Sequence, residues 1–345
     1  LSYRSIFVFM GGSYVSSKGS RGEQNLVGLT GMKNDYVIEA NGLTKSYGDL
    51  EVLKGITFGV PKGTIYGLLG PNGAGKTTTV RILTTLLSYN GGTATVNGFD
   101  VSTQADDVRQ GMGLTGQSTS VDDLLPGIFN LEMIGRLYGM SKADAKARAA
   151  ELIERFDLTD AANRLAKTYS GGMRRRLDLA ASIITSPPVL FLDEPTTGLD
   201  PASRRSMWGI IKGLVADGTT VLLTTQYLEE ADQLADRIGV IDHGVLIAEG
   251  TADELKAKVG GERLELTFTD AADLAAAHKL FGKASRIHAD TGALSMEVTK
   301  GVSQIKDVLT DLEKAKITVD SFAMHRPTLD DVFLKLTGKE TEEAK

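Results

Sequence analysis

Residues 65–87 read "IYGLLGPNGAGKTTTVRILTTLL", and this stretch decides the fold. Ile65, Leu68 and Leu69 form a short apolar run of strand type. Glycines then turn it into a segment carrying Val80, Ile82 and Leu83, which predicts a helix. Between them sits Gly70-Pro71-Asn72-Gly73-Ala74-Gly75-Lys76-Thr77, a full G-x-x-x-x-G-K-[ST] match. Glycine lets the backbone bend until successive N–H groups point at phosphate oxygens. The start of the helix adds its partial positive charge. Lys76 can then bridge the β- and γ-phosphates of a nucleoside triphosphate, and the Thr77 hydroxyl can ligate Mg2+. A strand before and a helix after are the context that separates this motif from a glycine-rich turn with a surface lysine.

Downstream, Val189-Leu190-Phe191-Leu192-Asp193-Glu194 is an apolar strand ending in two carboxylates. Asp193 suits a Mg2+ held through water, and Glu194 can orient and deprotonate an attacking water. A third segment, "VLLTTQYLEE" at residues 221–230, runs from a buried strand into Gln226 and then into an acidic amphipathic stretch. Gln226 therefore stands at a strand end, where α/β proteins keep their ligand-handling residues.

Composition narrows the field. The chain has 345 residues, 41% hydrophobic and 24% charged, with a formal net charge of −6. That length allows two domains, and the acidic balance argues against a nucleic-acid partner. There are no cysteines, so a disulfide framework, a thiolate metal site and thiol chemistry are all excluded. No run reaches the roughly 18 apolar residues of a membrane span. "SIFVFM", Ser5 to Met10, is cut short by Gly11-Gly12-Ser13 and is too short for a signal-peptide core. Residues 1–34, rich in Gly and Ser, read as a flexible arm, and Met32 would open a more ordinary N-terminus.

Residues 168–182, "TYSGGMRRRLDLAAS", hold a second anion site, because Ser170-Gly171-Gly172 would open a helix. One nucleotide does not need two such sites from one chain. Two chains arranged head to tail do, each offering Ser170 and Gly172 to the γ-phosphate gripped by the other's Lys76. Arg174-Arg175-Arg176 read as a solvated helix face, with a direct phosphate role as the alternative.

Here the chain resembles the ATP-binding subunits of ABC transporters, whose signature is usually written LSGGQ and is matched by "YSGGM". The resemblance covers roughly residues 36–255. It implies an α/β P-loop NTPase fold, an ABC-type nucleotide-binding domain with an antiparallel β subdomain and a helical subdomain, binding ATP and Mg2+. It places the phosphate contacts on Gly70, Asn72, Gly73, Gly75, Lys76, Thr77 and Thr78, with Ser170, Gly171 and Gly172 supplied across the dimer. Tyr47, in "TKSYGD", matches the aromatic that stacks on adenine. Gln117, in "GLTGQ", matches the glutamine that reaches Mg2+ or the attacking water and senses the membrane partner. Asp200, in "TTGLDP", matches the residue that works across the dimer interface, and it also suits a helix N-cap before Pro201.

The family usually carries histidine where this chain has Gln226. An imidazole can share a proton with the γ-phosphate and the water. An amide keeps one donor group and one acceptor but cannot titrate. The expectation is that Glu194 does the base work and Gln226 clamps geometry; a weakened, slow site is the competing reading. "TTQYLEEADQLADRI" and "TGQSTSVDDLL" are also similar to the daunorubicin/doxorubicin-resistance branch, ATPases that drive export of drug-like molecules or lipids.

Three domains follow: the arm at 1–34, an ATP-binding domain at 35–255 with a helical subdomain at about 118–185, and an accessory or assembly domain at 256–345. In the helical part, "SKADAKARAAELIERF" starts on an N-cap serine, Ser141, with Asp144 at the capping-box position. Ala149, Leu152, Ile153 and Phe156 line one stripe. The family resemblance makes this subdomain the receiver of a coupling helix from the membrane subunit. From residue 256 the pattern predicts βαββαβ, a small α+β split-βαβ sandwich, with a hairpin turn at Asp290-Thr291-Gly292. A closing helix follows Pro327, with Leu329, Val332, Phe333 and Leu336 apolar. "PTLDDVFLKLTG" resembles the tail of the drug-resistance branch, which implies dimer contacts and assembly with the membrane subunit; the alternative is that the helix closes the core of the small domain. His278, His288 and His325 are scattered and predict no metal site.

The leading expectation is the ATPase half of an exporter. It would be a homodimer sandwiching two Mg-ATP, peripheral on the cytoplasmic face of the cell membrane, with a separate transmembrane permease. A soluble, non-transport ABC ATPase and a nucleotide-sensing module with weak turnover are the alternatives.

Overall fold

Strands buried on both faces are continuous apolar runs, and three of them build the centre of this protein. In the computed structural model, β3 (Ile65–Leu69), β7 (Val189–Asp193) and β8 (Thr220–Thr225) are buried along their whole length. The structure describes residues 36–116, 120–258, 261–288, 291–299 and 301–338. Gln117, Asp290 and the arm at 1–34 lie outside the described residues.

Before β3, β1 (Tyr36–Tyr47) and β2 (Leu50–Pro61) pair antiparallel. After it come α1 (Lys76–Leu83), β4 (Gly91–Val96), β5 (Phe99–Asp100), α2 (Ala105–Gln110) and β6 (Met112–Thr115). Three helices, α3 (Gly127–Leu137), α4 (Lys142–Arg155) and α5 (Gly171–Ser182), lead to β7. The chain continues through α6 (Pro201–Ala216), β8, α7 (Leu228–Leu234), β9 (Arg237–Asp242), β10 (Val245–Gly250) and α8 (Ala252–Ala257). The last part is β11 (Glu262–Thr267), α9 (Ala271–Phe281), β12 (Ser285–His288), β13 (Ala293–Val298), α10 (Val302–Lys314), β14 (Ser321–His325) and α11 (Leu329–Thr337).

The central sheet runs β10-β9-β3-β8-β7-β6, with β9, β3, β8, β7 and β6 parallel and β10 antiparallel at the edge. Side chains alternate across it with period two. Ile65, Leu190, Leu192, Val221 and Leu223 face one core together with Leu152, Phe156, Leu177 and Trp208 of the helical side. Tyr66, Leu68, Val189, Phe191 and Leu222 face the other, with Val80 and Leu83 of α1 and the antiparallel sheet β2-β1-β4-β5. Ser141 caps α4 by accepting from Asp144 N at 3.1 Å, and Ala149, Leu152, Ile153 and Phe156 are all buried, as the stripe requires.

The third sheet has the order β12-β13-β11-β14, antiparallel throughout. Elements β11-α9-β12-β13-α10-β14 follow the expected βαββαβ order. Leu264, Leu266, Leu294 and Met296 of this sheet pack with Leu274 of α9 and Val308 and Leu312 of α10.

The closing helix corrects one of its two expected roles. Helix α11 carries a capping box between Thr328 and Asp331. Its buried face, Leu329, Val332 and Phe333, does not fill the core of the small domain. It packs on Leu69, Leu228, Ala231, Ile238, Val240 and Leu255, on the central sheet and helices α7 and α8. Leu336, expected on the same face, is 39% exposed. The amphipathic stripe shows that a face is buried, but not which partner buries it.

Phe333→Ala should therefore destabilise the part of the chain built on the central sheet. Trp208, the single tryptophan, sits in that part on α6. The urea transition reported by its fluorescence should fall by about 3 kcal/mol. A loss below about 0.5 kcal/mol would mean that the helix is not part of this core.

Candidate active site

Strand order brings the site together. The C-terminal ends of β3, β8 and β7 are neighbours, and the chain leaves them as the glycine loop, Gln226 and Glu194. Gly70 donates its N–H to Thr225 O at 3.3 Å, and Asp193 pairs in register with Thr224.

The glycine loop has its shape because bulkier residues cannot take it. Gly73 and Gly75 have φ of 80° and 111°, in the left-handed region. A Cβ on Gly70 would lie 2.2 Å from Ile241 O, and one on Gly75 would lie 2.6 Å from Leu53 Cδ2. No side chain caps α1 at Gly75, so the helix start is available to an anion. Lys76 is buried and donates to Gly70 O at 2.7 Å and Pro71 O at 3.1 Å. Its Nζ lies 3.4 Å from Glu194 Oε1. Burial lowers the lysine's proton affinity below its ordinary value, and the Glu194 and Asp193 carboxylates oppose that shift.

Asp193 Oδ1 accepts from Thr224 Oγ1 at 2.6 Å and from Thr77 Oγ1 at 3.2 Å. A hydroxyl and a carboxylate meeting beside the lysine are hard oxygen donors, a set that fits Mg2+. Glu194 takes φ of 52°, left-handed for a non-glycine residue. Its N–H donates to Thr224 Oγ1 and Thr224 O, both at 3.1 Å. Thr197 Oγ1 donates to its carboxylate at 3.3 Å.

Gln226 follows β8 directly and is half-buried. Tyr227 N donates to Thr225 Oγ1 at 2.9 Å in the turn that starts α7. Tyr47 ends β1 and is 48% exposed, with Lys45 Nζ over its ring, 5.3 Å from the centroid. Asn72 and Gly73 are exposed, and Thr77 and Thr78 are half-buried at the start of α1.

Ser170, in the stretch expected to be a second anion site, stands at the start of α5. Ser170 caps α5 by accepting from Met173 N at 3.2 Å, and Ser170 and Gly171 are exposed. Gly172 faces α6: a Cβ there would lie 2.7 Å from Ser203 Oγ. Asp200 caps α6, accepting from Ala202 N at 3.0 Å and Ser203 N at 2.9 Å. Tyr169, where the family signature has leucine, wedges against Gly127 and donates to Ala161 O at 2.7 Å.

The arginine triplet is a correction. It is not a solvated face; all three residues are half-buried and each is bonded. Arg174 reaches Asp123 at 3.0 Å and Arg176 reaches Asp157 at 3.0 Å. Arg175 donates to Gly116 O and Pro195 O at 2.8 Å, and to Asp193 O at 3.1 Å and Glu194 O at 2.8 Å. One turn on, Asp178 is buried and accepts from Ser120 N at 2.7 Å. The readable signal was Asp178 itself, an acid three residues after an arginine in the apolar stretch of a helix. Glu230 was missed as well. It is fully buried on α7, and its Oε1 accepts from Thr196 Oγ1 at 2.7 Å and Trp208 Nε1 at 3.2 Å. It thereby ties the helix after Gln226 to the segment after Glu194.

Comparison with known proteins gives the same reading. The family described as ABC transporter matches residues 53–197, and the ATP-binding protein DrrA1-3-like, C-terminal domain matches residues 250–337. The chain is 53% identical to the daunorubicin/doxorubicin resistance ATP-binding protein DrrA of Streptomyces peucetius, over 89% of this chain and 96% of that one. It is 39% identical to the Nod factor export ATP-binding protein I of Burkholderia orbicola, over 89% of this chain and 98% of that one. Among solved structures, a dimeric ATP-binding cassette bound to ADP and Pi, in a post-hydrolysis state, superposes with a TM-score of 0.57 at 25% identity. That match covers 62% of this chain and 98% of the other.

Burial pushes the Asp178 carboxyl up to about 6 from an ordinary 3.8, against the opposing pull of Ser120 N–H and Arg175. The folded state then holds this proton more tightly than the unfolded chain does. The resulting stability is complete below about pH 4 and is lost as pH rises through about 6. Comparing Asp178→Asn with wild type by urea unfolding at each pH, the wild type should lose about 2 kcal/mol relative to the variant between pH 4 and 7. A difference that does not change with pH would contradict the buried-carboxyl reading.

Proposed function

The chain belongs to the family of ABC-transporter ATP-binding proteins, and from that premise we propose that it drives an exporter as a head-to-tail pair. The carrying observation is the division of one chain into two half-sites. Lys76, Asp193 and Glu194 meet at the sheet edge. Ser170 heads another helix, exposed, with its hydroxyl bonded within that helix. A second copy supplies what each half lacks.

In this reading Lys76 exchanges the carbonyls of Gly70 and Pro71, and its contact with Glu194, for β- and γ-phosphate oxygens. Thr77 and Asp193 would hold Mg2+, with Gln117 the further ligand that the family resemblance implies, and the ion would neutralise phosphate charge. Glu194, released from the lysine, takes the proton of the attacking water. Gln226 donates to the γ-phosphate and accepts from the water, fixing the line of attack while no proton passes through it. Tyr47 stacks on adenine, Ser170, Gly171 and Gly172 close over the γ-phosphate of the partner's site, and Asp200 lies at the interface.

Coupling to a membrane permease is supported by α3. Phe129, Met133 and Leu137 recur every fourth residue and are 52%, 38% and 48% exposed, with Leu124 and Tyr138 exposed nearby. An apolar patch of this kind marks an interaction surface. No helix among the described residues is long and apolar enough to cross a membrane. In the proposed reading a separate permease forms the transport path, and this chain works at the membrane's cytoplasmic face. The substrate class is drug-like, by analogy with a relative named for daunorubicin/doxorubicin resistance, with lipids the alternative that the branch resemblance implies.

A slow, nucleotide-sensing module is the second reading, and Gln226 is the observation that favours it. Steady-state ATPase assays separate the two. Wild type should turn over with Mg2+; Lys76→Ala should lose ATP binding; Glu194→Gln should bind ATP but lose about 1,000-fold in rate. Gln226→Ala should lose about 100-fold in kcat with KM little changed. Full-speed Gln226→Ala would remove the clamp, and unaltered Lys76→Ala would remove the ATPase reading.

A further inference from the structure

Glu194 stands in a conformation that needs an external hold. Its φ of 52° is left-handed, where a residue with a Cβ is strained. Such strain persists only where surrounding bonds over-determine it. Two bonds to Thr224 fix the N–H side of the residue. On the carbonyl side the hold comes from a single cation. Arg175 donates from Nη2 to Asp193 O at 3.1 Å and Glu194 O at 2.8 Å, and from Nε to Pro195 O at 2.8 Å. The carbonyl oxygens of three consecutive residues centred on the base thus converge on one guanidinium. Nη1 takes a fourth, Gly116 O, at 2.8 Å.

The guanidinium is itself held. Its side chain is 11% exposed, and Asp178 Oδ2 lies 3.8 Å from Nη1. A buried cation is retained where acceptors and an opposite charge surround it, and the planar, five-donor fork of arginine can address four carbonyls in fixed directions, more than the three donors of a lysine ammonium. Arg175 lies on α5, the helix that Ser170 opens. The chain from the exposed serine to the backbone of Glu194 is therefore one rigid helix and one side chain.

We infer that Arg175 is a positioning residue: it holds the backbone of the Glu194 base in its left-handed conformation and ties it to the helix headed by Ser170. This rests on the ATPase reading above and extends it. Engagement of Ser170 by the partner's nucleotide would bear, through α5 and Arg175, on the base of the chain's own site. The two sites of the pair are then linked by a route that does not pass through Gln226.

The test uses the full chain. Arg175→Met keeps the aliphatic stem and removes every donor; Arg175→Lys keeps the charge but cannot fork among four carbonyls. Binding of a fluorescent ATP analogue should stay within about twofold of wild type, while kcat falls about 100-fold in Arg175→Met, the cost of a misplaced reacting group. Arg175→Lys should fall between the two. The decisive readout is a double-mutant comparison. With Glu194→Gln already present, single-turnover decay of radiolabelled ATP should be the same with or without Arg175→Met, because the arginine acts through the base. An equal fold loss in both backgrounds, or a kcat within about twofold of wild type, would overturn the proposal. Should Arg175→Met fail to fold, Arg175→Lys carries the same comparison. A wild-type chain without ATPase activity would overturn the underlying reading along with it.

Discussion

A buried lysine organises this molecule. Lys76 is 4% exposed, and a cation taken from water to that depth must be surrounded by acceptors. Gly70 and Pro71 turn their carbonyls toward it, and Glu194 leans on it from the neighbouring segment. These contacts exist because β3, β8 and β7 are adjacent and parallel, so that their C-terminal ends open side by side. A triphosphate offers the same ammonium more negative charge than the carbonyls do. In the proposed reading, phosphate oxygens replace the carbonyls of Gly70 and Pro71 as the partners of this ammonium.

The local part of this was legible in the sequence. The phosphate loop is a contiguous motif whose glycines have steric reasons to be glycine: Gly70 against Ile241 O and Gly75 against Leu53. Asp193 and Glu194 were legible because an apolar run ending in two acids is a strand ending at a ligand edge. Ser141, Ser170 and Asp200 were legible as caps, because capping is decided within a few residues. The βαββαβ order of the small domain could likewise be counted along the chain.

What was not legible depends on contacts between distant segments. Thr224 looks like any β-strand threonine until strand order sets it beside Asp193. Arg175 reads as surface charge until α5 lies across the end of β7, where its donors find four carbonyls. Glu230 lies in an acidic run that reads as solvated, yet its carboxylate is buried against Thr196 and Trp208. Helix α11 declares its apolar stripe but not its destination; the chain returns past the small domain and buries Phe333 beside Leu228, two residues after Gln226.

The central claim is that one catalytic site is built from two copies: the glycine loop of one and the Ser170 helix start of the other. The absence of native cysteines makes this directly measurable. Asn72→Cys and Gly171→Cys, each in Glu194→Gln and carried on chains of different tag length, are mixed and treated with a short thiol crosslinker. The account predicts an ATP-dependent crosslink joining the long chain to the short one, and none when either variant is treated alone. Absence of the mixed product in the presence of ATP, or an equal yield from a single variant, would contradict it.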